Sequence, residues 1–210
     1  MLERAVAFAK SRAAAAASLA VACAFVLAAQ RRTCDPLWVP ANVLTFSRCV
    51  AAAGLAAQSA NRERRASAWI GLLLGCTLTD WLDGPIARRR ETTLLGAILD
   101  IEADSWLTLW SAVCAAAWGD LPRWCLLPPI IRYLGPILDL RRGRLPHGGG
   151  PWWSRLTGTA QMVLFLAALA PLKDSWRARV MRAVRLAALP VSAGQGVAIV
   201  VLLWRKFREQ

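Results

Sequence analysis

The chain has 210 residues, 57% of them apolar, and a mean hydropathy of +0.40, more apolar than a soluble core of this length requires. Its net charge of +13 comes almost wholly from arginine. These arginines gather at the ends of apolar runs, which points to lipid headgroups or phosphate-bearing substrates and away from nucleic acid. Strand-like alternation is scarce, so the expected fold class is all-α. We expect a polytopic membrane bundle of six core transmembrane helices, with an additional helix at the N-terminus.

Residues 1–39 form the N-terminal segment. A basic start (Arg4, Lys10, Arg12) precedes the apolar run AAAAASLAVACAFVLAA at 13–29. That run is long for a cleaved signal, so it reads as an extra span or an interfacial helix. After the break QRRTCDPLWVPAN, residues 40–210 make the core domain. Its expected spans run over 43–60, 67–81, 94–118, a proline-interrupted 122–140 (Pro122, Pro128, Pro129, Pro136), 156–172 and 186–204. GDLP marks a turn after the third, and RRGRLPHGGGPWWSR is the clearest loop, with Trp152 and Trp153 at an interface. The positive-inside rule places Arg88 to Arg90, the loop after residue 140 and the tail RKFRE in the cytoplasm, although arginines near 62–65 and 177–185 then lie outside. The six cysteines include no CxxC pair and read as small apolar fillers, and the single histidine, His147, has no partner at ligand spacing.

Four aspartates stand out in TDWLDGPIARRRETTLLGAILDIEAD. Asp80 and Asp83 are three apart, and Asp100 and Asp104 four apart, so each pair shares one helix face. The short link makes the two helices antiparallel neighbours and sets the pairs at similar depth. Converging carboxylates need a counter-charge. Either neighbouring arginines supply it at the membrane edge, or a divalent cation does. Mg²⁺ takes a few carboxylates together with phosphate oxygens, and a two-ion site suits chemistry at phosphorus. Gly84 allows close approach of a ligand, and Arg88 presents a planar fork to phosphate.

Asp80-Trp-Leu-Asp83-Gly84-Pro-Ile-Ala87-Arg88, followed by Gly96 and then Asp100 and Asp104, resembles the signature of the CDP-alcohol phosphatidyltransferases, integral membrane enzymes of phospholipid synthesis. One departure is a link of seven residues between Arg88 and Gly96, one shorter than the family's usual spacing. Pro40-Ala-Asn42-Val-Leu-Thr45-Phe-Ser-Arg48 is similar to the opening of the first core helix in phosphatidylglycerophosphate synthases. Arg132 and Arg155 fall where such enzymes contact the acceptor, though a lysine usual near the latter is absent.

The resemblance implies that CMP is displaced from CDP-diacylglycerol by an alcohol hydroxyl, with glycerol 3-phosphate the first choice of acceptor and inositol phosphate an alternative. It implies Mg²⁺ or Mn²⁺, in a two-ion site held by Asp80, Asp83, Asp100 and Asp104, and Asp104 as the base. Gly84, Ala87, Arg88 and Gly96 would line the CDP group. A homodimer in a bacterial inner membrane, with the site facing the cytoplasm, is the expected setting. Two other classes share the aspartates: a membrane cation transporter, which calls for broken helices in two related halves, and an inactive lipid-binding homologue.

Overall fold

The computed structural model describes residues 2–59, 75, 93–141, 152–170 and 172–208. Asp80, Asp83, Gly84, Ala87 and Arg88, the expected span at 67–81 and most of the glycine loop lie outside them. The described residues form six α-helices: α1 (Leu2–Thr33), α2 (Pro40–Ser59), α3 (Leu94–Ala117), α4 (Leu127–Arg141), α5 (Trp152–Leu169) and α6 (Asp174–Arg208). A short 3₁₀ turn, Arg123–Leu126, leads into α4. Among the described residues, two stretches, Ala9–Thr33 and Asp174–Trp204, are long and apolar enough to cross a membrane.

Cross-helix contacts give the directions. Ser11 Oγ donates to the Ala57 carbonyl oxygen at 2.6 Å, and Leu95 N–H donates to Asp35 Oδ2 at 2.9 Å, so α1 runs antiparallel to both α2 and α3. Arg48 meets Asp100 and Asp104, while Cys114 Sγ donates to the Leu55 carbonyl at 3.0 Å, so α2 and α3 run parallel.

Small residues set the α2–α3 spacing. Ala51, Ala52 and Ala56 are buried on α2, as are Ala103, Ala112 and Ala115 on α3. Bare methyl groups let helix backbones approach, which matters where lipid provides no hydrophobic drive. Trp106 fills the space beside this seam. Its indole N–H donates to Ser18 Oγ at 3.0 Å, and its ring stacks at 4.4 Å from Tyr133 of α4. A buried Trp needs a partner for its N–H, and α1 provides it.

The turn GDLP forms as expected. Gly119, at φ +72°, ends α3 in the left-handed conformation, with Gly119 N–H on the Ala116 carbonyl and Asp120 N–H on that of Ala115. This is the paired bonding of a Schellman cap. Asp120 then accepts from Arg177 Nη2 at 2.8 Å, fastening the turn to α6.

One boundary differs from expectation. The last helix begins at Asp174 and runs 35 residues through Arg177, Arg179, Arg182 and Arg185 without a connection, and it continues past Pro190. Arg179, Arg182 and Arg185 recur every third residue, which lines them along one exposed side of the helix.

Candidate active site

The first turn of α3 is fixed from two sides. Thr93 is its N-cap, and its hydroxyl accepts the Gly96 N–H at 3.1 Å. Asp35, from the link between α1 and α2, accepts the Leu95 N–H. Two of the four unbonded N–H groups of a helix start are thereby satisfied, one of them by a carboxylate favoured at the positive end of the helix dipole.

Gly96 lies against α2. A Cβ there would stand 3.0 Å from Thr93 Oγ1 and 3.1 Å from Asn42 Oδ1. Asn42 is itself pinned, because its amide donates to the carbonyls of Pro36 and Leu37 at 3.3 and 3.1 Å. Gly96, read from the sequence as lining a CDP group, therefore also sets the close approach of α2 and α3.

One turn further along α3, Asp100 and Asp104 share a face as their spacing requires. Between them sits Arg48 of α2, only 1% exposed, whose Nη1 donates to Asp100 Oδ1 at 2.7 Å and to Asp104 Oδ1 at 2.8 Å. The carboxylates are far more open, at 48% and 36% exposed. A single buried cation thus orients both acids from behind while their outer sides remain accessible.

This donor set suits a hard divalent cation: two carboxylates, four residues apart on one helix, oriented and accessible. Among the described residues, no group of three or more His, Cys, Asp and Glu could hold a metal. A metal held at Asp100 and Asp104 would need ligands from outside the described residues.

Arg132 of α4 lies within the electrostatic influence of Asp104 and Glu102. Its guanidinium rests on Gly158 of α5, where a Cβ would come within 2.6 Å of Nη1. Arg155, the second arginine expected near the acceptor, is exposed on α5 three residues before Gly158. Arg132 thus reaches across from α4 to the helix that carries Arg155.

Sequence reasoning gave no role to Arg48, Asp35 or Glu102. An arginine in the first half of an apolar helix was a signal for the first, because charged groups at membrane depth are kept for a reason. Glu102 is 5% exposed, and neither carboxylate oxygen has a hydrogen-bond partner among the described residues. It lines a cavity of about 280 Å³ between α1, α2 and α3, apart from the Asp100–Asp104 face.

A family model, CDP-alcohol phosphatidyltransferase, matches residues 38–204. The chain belongs to this family, a family of phosphotransferases that move a phosphatidyl group from a CDP-alcohol. No curated protein and no solved structure gives a match. The matched region begins after α1.

Proposed function

We propose that the protein transfers the phosphatidyl group of CDP-diacylglycerol to a phosphorylated alcohol, with glycerol 3-phosphate the first choice, and releases CMP. The observation that carries this reading is the Asp100–Asp104 pair, held by Arg48 and open on its other side, within the family-matched region.

In this reading Asp104 accepts the proton of the acceptor hydroxyl. The freed oxygen attacks the phosphorus that bears the diacylglycerol, a new P–O bond forms, and the bond to CMP breaks with its electron pair leaving on CMP. Arg48 keeps Asp104 aimed by donating to its Oδ1. Mg²⁺ or Mn²⁺, held by Asp80, Asp83, Asp100 and Asp104, would neutralise the diphosphate and stabilise the departing CMP. Gly84, Ala87, Arg88 and Gly96 line the CDP group, and Arg132 and Arg155 take the acceptor phosphate.

The setting we propose is a membrane one, supported by the two apolar helices and the family. Residues 40–210 act as the catalytic domain, embedded as a six-span bundle in a bacterial inner membrane, with the aspartate end facing the cytoplasm. Because α1 runs antiparallel to α2, it starts at the opposite end from the aspartates. A homodimer completes the assembly.

The test is release of CMP from labelled CDP-diacylglycerol by purified protein with Mg²⁺ or Mn²⁺ and a panel of alcohols. Release should need one acceptor and stop with a chelator. Asp100→Asn and Asp104→Asn should each lower turnover by roughly 10²-fold or more, the scale of losing a catalytic acid–base group. Full turnover in either variant defeats the assignment.

A further inference from the structure

Arg132 makes no hydrogen bond or ion pair among the described residues, although it stands half-buried on α4. A guanidinium removed from water gives up hydration that five N–H donors must recover elsewhere. Its position is set by a residue that has no side chain. Nη1 occupies the space over Gly158 that a Cβ would enter, at 2.6 Å from that Cβ position. No other described glycine would bring a Cβ so close to a neighbour. The acids acting on Arg132, Asp104 and Glu102, lie on α3, while its guanidinium rests on the bare backbone of α5.

We infer that Gly158 is the seat of Arg132, a positioning residue whose missing side chain lets the guanidinium present its donors to an anionic group on the acceptor while the acceptor hydroxyl faces Asp104. This rests on the reading of Arg132 as an acceptor contact and names what places it. The ligand class is a small phosphate monoester of an alcohol, because a planar fork pairs best with phosphate or carboxylate oxygens and Asp104 must reach a hydroxyl on the same molecule. A methyl group at position 158 meets the far end of a flexible side chain and not a backbone, so it swings the guanidinium aside without displacing a helix.

The experiment is calorimetric binding of glycerol 3-phosphate, and separately of inorganic phosphate, to the full chain in detergent, with acceptor KM and kcat measured on the same preparations. Gly158→Ala should weaken both ligands by about tenfold or more, the loss of a charge-assisted contact, and raise acceptor KM more than it lowers kcat. In the Arg132→Ala background, Gly158→Ala should have no further effect, because the clash partner is gone. Arg132→Lys with Gly158→Ala should bind like Arg132→Lys alone, since the shorter ammonium does not enter that space.

Wild-type affinity in Gly158→Ala, or an equal loss from Gly158→Ala with and without Arg132, overturns the inference. So does wild-type protein that binds neither ligand. Binding that obeys the cycle in a protein that releases no CMP would sink the proposed reaction and leave the seat standing. CMP release with a cycle that fails would do the reverse.

Discussion

Arg48 Nη1 lies 2.7 Å from Asp100 Oδ1, and the same nitrogen lies 2.8 Å from Asp104 Oδ1. The arginine is sealed in the α2–α3 seam while both acids reach outward. The ion pair is therefore asymmetric: the cation depends on the acids more than they depend on it. Arg48→Met removes the charge that holds two carboxylates side by side. Water reaches those carboxylates, so the cost falls at the low end for breaking a buried pair, about 3 kcal/mol. Thermal unfolding in detergent measures it. Adding Asp104→Asn to Arg48→Met should recover part of the loss by removing one of the two repelling charges, and a double variant that falls further than the single one would contradict this account.

Gly96→Ala tests the close approach at the start of α3. Alanine favours a helix over glycine by about 1 kcal/mol. Against that, the new methyl group meets Thr93 Oγ1 at 3.0 Å and Asn42 Oδ1 at 3.1 Å. Neither neighbour yields easily, because Thr93 caps Gly96 and Asn42 is held by two carbonyls. Overpacking of this kind costs about 1–3 kcal/mol, so the net expectation is a loss near 1 kcal/mol. A variant more stable than wild type would show that Asn42 moves freely.

The limits of the helices were largely legible in the sequence. Expected spans at 43–60 and 94–118 meet Pro40–Ser59 and Leu94–Ala117, since apolar runs bounded by turn residues carry that information. The start of α6 was not legible, because four arginines depress the local hydropathy although three line an exposed side of a continuous helix and Arg177 pairs with Asp120. At the site, the spacing of Asp100 and Asp104 gave their common face. What held them could not be read, because Arg48 is 52 residues from Asp100 and only the parallel packing of α2 on α3 joins them. Asp35 was hidden for the same reason, lying 60 residues from the N–H group it accepts.

Asp35 ties the link before α2 to the helix that carries the aspartates. Asp35→Ala leaves the Leu95 N–H without its acceptor and removes a favourable charge from the positive end of α3. The expected cost is about 1 kcal/mol, typical of losing a capping side chain. Asp35→Asn keeps an acceptor oxygen and should cost less. Chemical denaturation of the three proteins ranks them, and an alanine variant as stable as wild type would show that the contact carries no weight.

Glu102 gives the opposite sign. Both of its carboxylate oxygens are buried without a hydrogen bond, beside a cavity of about 280 Å³. An unsatisfied buried polar group costs about 1–3 kcal/mol, and more if it is charged. Glu102→Leu removes that cost and places a branched methyl group against Leu99, Ala103 and Trp106, which line the same cavity. Stability should rise by about 1–3 kcal/mol, seen as a higher Tm by about 2–4 °C for each kcal/mol in a chain of this size. Glu102→Gln retains two polar atoms in the same place and should gain little. The contrast separates the two sides of α3. One carries acids that Arg48 bonds and that solvent reaches, and the other carries a buried acid on which Arg132 acts without a hydrogen bond among the described residues. A Leu variant that melts below wild type would mean that Glu102 has a partner in the membrane-embedded protein, and the cavity would then have to be read as its binding site.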